Sequence, residues 1–132
     1  MANRGGDVSL TEVIHRNEVT SLLLLQGYNV YLPVVDQGID FIVHREADND
    51  MKCVQQKSRW TIHRKYLDRG IWIAFRDRQD WYLVEHDHMV DLCQKHGTEL
   101  ETRSWQRDGS YTRAHLSAKY KTLYADFHIG TI

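Results

Sequence analysis

Residues 39–59, IDFIVHREADNDMKCVQQKSR, decide the fold that the sequence predicts. Two apolar and β-branched runs, Ile39–His44 and Met51–Arg59, flank the sequence ADND, whose Asp and Asn residues favour a tight turn. A third run of the same character, Tyr28–Val34, comes directly before them. We therefore expect the three runs to form consecutive antiparallel strands.

Polar residues interrupt the two later strands. Side chains alternate between the faces of a strand, so Asp40 occupies one face of the first, while Gln55 and Lys57 share a face of the next. Pairing these faces would bring together a carboxylate, a carboxamide and an ammonium group. Structural roles also stay open: Asp40 can close the preceding turn, and Gln55 and Lys57 can lie on a strand face in water.

A helix over residues 10–26 is predicted upstream of these strands. Ser9 and Glu12 match the S-x-x-E capping box, in which each side chain satisfies a free N–H group at the helix start. Gly27 then supplies the stop.

One stripe of this helix carries Ile14, Leu22 and Leu25 at helical spacing, and we expect it to face the core. Glu18 lies on the same stripe, one turn after Ile14 and one turn before Leu22. An acid at that position conflicts with burial. It either reaches water at the rim of the helix or joins the polar group on the strands.

The second half of the chain continues the alternation of strands and helices. Residues 60–70, WTIHRKYLDRG, have no clean period and predict a loop or a short helix. Ile71–Phe75 and Asp80–Val84 predict buried strands, and His86–His96 predicts a helix that ends at Gly97. The tail shows strand signals broken by turns.

The order Glu18, Asp40, Gln55 and Lys57, within the segments GYNVYLP, GID and VQQK, resembles the PD-(D/E)XK nuclease superfamily. This superfamily includes many restriction enzymes and junction resolvases, and the match covers about a third of the chain. The resemblance implies an α/β fold with a restriction-endonuclease-like core, in which an N-terminal helix precedes a mixed β-sheet flanked by helices. We expect a single such domain over residues 1–132.

The resemblance implies a metal-dependent DNA endonuclease that hydrolyses phosphodiester bonds. Mg²⁺, with Mn²⁺ as a possible substitute, would be held by Asp40, the side-chain oxygen of Gln55, the backbone carbonyl of Gln56 and Glu18. Lys57 would orient the attacking water and stabilise the transition state.

The chain departs from the common pattern of the superfamily because Gln55 stands where an Asp or Glu is usual. A carboxamide oxygen still binds a hard cation, but it brings no charge. The alternative interpretation is therefore a catalytically inactive nuclease-fold protein that acts as a nucleic-acid-binding or assembly subunit. A third is an unrelated α/β domain whose polar strand residues face water.

The charge of the chain is unevenly distributed, although the net charge is −1. Residues 1–50 carry three basic and eight acidic residues, whereas residues 51–78 carry eight basic and two acidic ones. Basic residues beside aromatic ones suit phosphate contacts, although a solvated loop has the same composition. The DNA-binding candidates are Arg59, Trp60, His63, Arg64, Lys65 and Arg69, with a second surface at Arg103, Arg107 and Arg113 beside Trp105 and Tyr111.

Length and composition exclude several classes of protein. No apolar run approaches the roughly 20 residues of a membrane span, and the start of the chain lacks the apolar segment of a signal peptide. Cys53 and Cys93 are too few for a disulfide scaffold, and no histidine or cysteine pair has zinc-ligand spacing. We expect a cytoplasmic protein without a membrane partner. One site per chain predicts a homodimer or higher homo-oligomer for cleavage of both DNA strands.

Overall fold

The computed structural model describes residues 9–132. The expected absence of a signal peptide concerns the first eight residues, which lie outside this range. Helix α1 (Leu10–Leu25) begins where the sequence predicts, because the Ser9 hydroxyl accepts a hydrogen bond from the Glu12 backbone N–H at 3.1 Å. Gly27 follows its end with a φ of 89°, a conformation that favours glycine.

Three strands follow α1 and form the predicted antiparallel meander. They are β1 (Asn29–Tyr31), β2 (Phe41–Arg45) and β3 (Asp50–Lys57). Strand β2 pairs with β1 on one side and with β3 on the other, both antiparallel. The register places Phe41 opposite Val54 and Ile42 opposite Cys53.

The remaining elements complete a mixed sheet and a smaller second sheet. In chain order they are β4 (Trp60–His63), β5 (Ile71–Asp77), β6 (Asp80–Glu85), α2 (His86–His96), β7 (Ser110–Arg113), α3 (Ala118–Leu123) and β8 (His128–Thr131). The main sheet has the order β1-β2-β3-β5-β6-β8, with β3 and β5 parallel and the other neighbours antiparallel; β4 pairs with β7. The predicted α/β class with a mixed sheet and flanking helices is confirmed.

Residues 60–70 differ in part from the prediction of a loop or short helix. Arg64–Tyr66 forms one turn of 3-10 helix, but Trp60–His63 is a strand. Its partner, β7, lies far downstream, so the pairing is tertiary and leaves no local periodicity in the sequence. Within the part of the chain that the structure describes, no helix is long and apolar enough to cross a membrane.

Helix α1 buries a different stripe from the predicted one. Val19, Leu22 and Leu23 are buried, whereas Ile14 and Leu25 are 48% and 85% exposed. The prediction is correct for Leu22 and wrong for Ile14 and Leu25. The close approach of α1 to β8 sets this face, because a Cβ added at Gly130 would lie 2.5 Å from a methyl group of Leu22.

Two hydrophobic clusters lie on opposite faces of the main sheet. On one face, α1 covers Phe41, Val54 and Trp81. On the other, the two other helices and the small sheet cover the β5–β6 half of the sheet, with Ile73 and Phe75 in the cluster. Over β1–β3 this second face is open, so Tyr31, Ile42, His44 and Met51 line a shallow depression. Cys93 is buried, whereas Cys53 is partly exposed.

Candidate functional site

A cleft of about 580 Å³ opens where the start of α1 meets the carboxyl end of β3. Helix α1, the loop before β2 and the end of β3 all contribute to it. Its charged and amide side chains are Glu12, His15, Arg16, Asp36, Asp40, Gln55, Gln56 and Lys57. Three of the four residues predicted to form the site, Asp40, Gln55 and Lys57, therefore line one cleft.

Asp40 is fixed by the pairing of β2 with β3. Its backbone N–H donates to the Val54 carbonyl at 2.9 Å, and its Oδ2 accepts from the Gln56 backbone N–H at 2.7 Å. Burial raises the pKa of Asp40 above its ordinary value, and nearby negative charge at Asp36 acts in the same direction. The Gln56 N–H and the Lys57 ammonium oppose this shift without cancelling it.

Gln55 presents an unpaired oxygen to the same region. Its Oε1 is buried and accepts no hydrogen bond from residues 9–132. A buried carbonyl oxygen without a partner is costly to a fold, and each case in a protein calls for an explanation. Gln55 lines the cleft together with Asp40, and no donor of the described residues occupies this oxygen.

Lys57 ends β3, and a buried aromatic ring lies beneath its ammonium group. The Lys57 Nζ lies 5.3 Å from the centroid of the Tyr66 ring, which is 2% exposed. The Lys65 Nζ lies 5.2 Å from the same centroid, and the His63 ring packs against it at 5.8 Å. Cation–π attraction thus holds the ammonium groups of Lys57 and Lys65 near the Tyr66 ring, and of these two residues Lys57 lines the cleft.

Glu18 does not line the cleft with the other three residues. Its Oε1 accepts from the Trp81 Nε1–H at 3.1 Å and lies 3.5 Å from the Arg76 Nε. The physical reason is the position of Glu18 further along α1, where it contacts Trp81 and Arg76, whereas Glu12 and His15 near the helix start line the cleft. Glu18 is therefore partly buried against Trp81 and Arg76, and it is not one of the residues that line the cleft.

Sequence reasoning missed four ionisable residues of the cleft, Glu12, His15, Arg16 and Asp36. The capping box accounted for Glu12, yet in the structure only its backbone N–H takes part in that motif. The signal that could have identified the pair on α1 is spacing: Glu12 and His15 stand one turn apart next to the helix start. Asp36 accepts a hydrogen bond from the Gly38 backbone N–H at 3.0 Å, so it also closes the loop before β2.

Only some of the residues predicted to form the basic DNA-binding surface are exposed in the structure. Trp60 is 1% exposed in the core and cannot contact DNA in this conformation, which corrects its assignment. Arg59, Lys65 and Arg69 are exposed. Arg64 is exposed too, although one guanidinium nitrogen donates to the Trp105 carbonyl at 2.6 Å.

His63 belongs to this basic surface but differs in its chemistry. Its Nδ1 accepts a hydrogen bond from the Lys65 backbone N–H at 3.1 Å. Burial lowers the pKa of His63, and the positive charges of Lys65 and Lys57 lower it further. These effects favour the neutral form of the ring in the free protein.

The second predicted surface is mainly structural. Arg113 pairs with the Glu99 carboxylate, which is 1% exposed, and its guanidinium lies 4.6 Å from the Tyr120 ring centroid. Trp105 is also buried. Arg103 and Arg107 remain exposed, but without their aromatic partner they do not form the predicted interleaved surface.

A hard cation in the cleft would have to bind a mixture of carboxylate and carboxamide oxygens. Among the described residues, no group of three or more His, Cys, Asp and Glu side chains is placed to hold a metal ion. The cleft holds the carboxylates of Glu12, Asp36 and Asp40 and the carboxamide of Gln55, whose Oε1 has no partner among residues 9–132. Comparisons of the chain with protein-family models, characterised proteins and solved structures gave no match.

Proposed function

We propose that this protein is a metal-dependent DNA endonuclease that hydrolyses phosphodiester bonds in the cleft between α1 and β3. The observation that carries the proposal is that Asp40, Gln55 and Lys57 line one cleft, with the Gln55 Oε1 buried and without a partner among residues 9–132. In this proposal the mixed sheet with its N-terminal helix is a restriction-endonuclease-like core of the PD-(D/E)XK superfamily.

Mg²⁺ is the proposed cofactor, with Mn²⁺ as a substitute. Mg²⁺ binds proteins through one or two carboxylates and keeps several waters, which suits Asp40, the Gln55 side-chain oxygen and the Gln56 backbone carbonyl. Glu12 lines the cleft and takes the place in this set that the resemblance implied for Glu18. When bound, such an ion lowers the pKa of a coordinated water and stabilises charge on phosphate oxygens.

The residues of the chain have separate roles in this proposal. Asp40 binds as the carboxylate, so its raised pKa makes activity increase as the pH rises through that pKa. Lys57 supplies a fixed positive charge for the transition state, since Tyr66 holds its ammonium group at the cleft.

The proposed DNA contacts lie directly after Lys57 in the chain. Arg59, Lys65 and Arg69 are exposed there, and Arg64 stands among them. Such side chains contact phosphates and position the duplex without reading its sequence. Binding should therefore weaken steeply as the salt concentration rises.

A plasmid-nicking assay with Mg²⁺ or Mn²⁺ tests the activity. We expect Asp40→Asn and Lys57→Ala to lower the cleavage rate by about 100-fold or more, since each removes a charge that acts on the transition state. The matched controls are Glu46→Gln and Lys95→Ala, whose side chains are exposed and lie outside the cleft. Cleavage by the Asp40 and Lys57 variants at the wild-type rate would contradict the proposal.

The second candidate function is a catalytically inactive subunit that binds nucleic acid or assembles with other proteins. It is favoured by the neutral Gln55 and by the lack, among residues 9–132, of three clustered His, Cys, Asp or Glu ligands. Calorimetry separates the two functions: DNA binding with no binding of Mg²⁺ at millimolar concentrations supports the inactive subunit. Gln55→Glu restores a carboxylate and should strengthen Mg²⁺ binding if the cleft is a metal site.

The proposal extends to partners and location. One chain carries one such cleft, so cleavage of both strands of a duplex requires a homodimer or higher homo-oligomer. We place this activity in the cytoplasm, where DNA and Mg²⁺ are both available.

A further inference from the structure

His15 lines the cleft and contacts a set of polar residues beneath it. Its Nε2 lies 3.2 Å from a terminal guanidinium nitrogen of Arg76. Its ring also packs edge-on against Trp81, with the centroids 5.8 Å apart. These two contacts fix the position of the imidazole.

The contact with Arg76 determines where the proton of His15 lies. A guanidinium group has only donors and accepts no hydrogen bond, so the His15 Nε2 must be the acceptor. An Nε2 that accepts carries no proton. With Nε2 as the acceptor, Nδ1–H is the donor that the ring offers.

Arg76 is in turn held in place from below. Its Nε lies 3.5 Å from the Glu18 Oε1, and the same oxygen accepts from the Trp81 Nε1–H at 3.1 Å. Glu18 thus neutralises the guanidinium and keeps it against His15. These contacts explain why α1 carries the acid Glu18 on a half-buried stripe although Glu18 does not lie in the cleft.

The His15 Nδ1 forms no hydrogen bond within residues 9–132, and His15 lines the same cleft as Glu12 and Asp40. We propose that His15 is a substrate-binding residue whose Nδ1–H donates a hydrogen bond to a phosphodiester oxygen of bound DNA. The identity of this ligand rests on the proposed function. Glu18 and Arg76 are positioning residues, since they act through the tautomer of His15.

Two variants of His15 test the roles of Nδ1 and Nε2 separately. His15→Asn keeps a donor near the position of Nδ1 and loses the acceptor for Arg76, whereas His15→Gln keeps an acceptor near Nε2 and loses the donor. We expect duplex DNA in EDTA to bind His15→Gln about tenfold more weakly than the wild type, as for loss of a hydrogen bond to a charged group. His15→Asn should stay within about twofold on the same reasoning. His96→Gln is the control, because His96 is exposed and outside the cleft.

The tautomer itself is measured by long-range ¹H–¹⁵N NMR of the free protein. We expect His15 to show a protonated Nδ1 and an unprotonated Nε2, and the Nδ1 resonance to shift when duplex DNA is added. Inorganic phosphate is the comparison ligand, and a shift of the same size at equal occupancy would show a general phosphate site rather than one for DNA. The opposite tautomer, no shift with DNA, or equal affinity of His15→Gln and the wild type would each overturn the proposal.

These readouts are independent of cleavage. A wild-type protein that nicks plasmid while His15→Gln binds DNA as tightly as wild type overturns the role of His15 and leaves the nuclease proposal standing. A wild-type protein that never nicks plasmid, but shows the expected tautomer and DNA-dependent shift, overturns the nuclease proposal and supports the role of His15 in binding.

Discussion

Asp40 and Gln55 place polar atoms where the neighbouring strand residues are apolar and buried. The carboxylate of Asp40 has a raised pKa because burial disfavours its charge, and the Gln55 Oε1 is buried without a donor. Both features cost stability in the free protein. Such costs are typical of sites that bind a ligand, since the ligand supplies the missing partner.

Asp40→Asn should therefore stabilise the protein while it abolishes cleavage. The Asn carboxamide still accepts from the Gln56 N–H but carries no charge, so we expect a gain of about 1 kcal/mol in the free energy of unfolding at pH 7.5. A group whose pKa is raised in the folded state contributes stability that is fully present below its pKa in the unfolded state. This contribution is lost as the pH rises through the pKa in the folded state. Urea unfolding of the two proteins at pH 7.5 and near pH 4 should thus show a difference that shrinks in acid.

Asp48→Asn is the matched control for this prediction. Asp48 is exposed, and its hydrogen bonds with Arg45 lower its pKa to about 2, the opposite direction from Asp40. Its replacement should not stabilise the protein at pH 7.5. If Asp40→Asn unfolds at lower urea than wild type at that pH, the account of Asp40 as a destabilising charge is wrong.

At the scale of a single element, α1 shows how packing chooses a helix face. The periodicity of apolar residues allows more than one stripe, because α1 carries apolar residues all round its second half. The approach to Gly130 on β8 and the polar contacts of Glu18 select the face of Val19, Leu22 and Leu23. Leu25 is left in water.

Two leucine substitutions in α1 distinguish the observed face from the predicted one. Leu23→Ala should lower the free energy of unfolding by about 2–5 kcal/mol, because the side chain is fully buried. Leu25→Ala should change it by less than about 0.5 kcal/mol, because that side chain is 85% exposed. Urea denaturation measures both, and a larger loss in Leu25→Ala would show that the stripe read from the sequence is the buried one.

At the scale of the whole molecule, the main sheet is covered unequally. One half of its second face is packed under α2, α3 and the small sheet, while the β1–β3 half stays open. Tyr31 and Met51 are 50% and 62% exposed there, and none of the four lining residues carries an acidic or basic side chain of fixed charge. A depression lined by these four residues suits a second copy of the chain better than it suits DNA, whose phosphates require basic partners.

Analytical ultracentrifugation tests whether this face joins two copies. We expect the wild type to form dimers at micromolar concentrations and Met51→Lys to shift them to monomers, because the new ammonium groups would be buried against apolar residues. Leu25→Lys is the control, since Leu25 is exposed on α1 away from this face. A wild type that stays monomeric, or dimers that Met51→Lys leaves intact, would exclude the open face as the interface.

The sequence by itself determined the local features of this protein. The capping box and Gly27 set α1, the turn residues set the β2–β3 hairpin, and alternation along the strands put Asp40, Gln55 and Lys57 side by side. These features depend on neighbours in the chain or across a short turn, which is why a pattern reveals them. The same holds for α2, whose boundaries the structure confirms.

Only the tertiary structure decided which face of the sheet α1 covers, and with it the identity of the acid that reaches the cleft. Glu18 and Glu12 are both acids of one helix, and their spacing alone cannot choose between them. Contacts with β8 and with Arg76 and Trp81 turned Glu18 toward the sheet and left Glu12 and His15 at the cleft. The pairing of β4 with β7, which buries Trp60, was decided in the same way, because free energy of packing between segments distant in the chain leaves no local signature in the sequence.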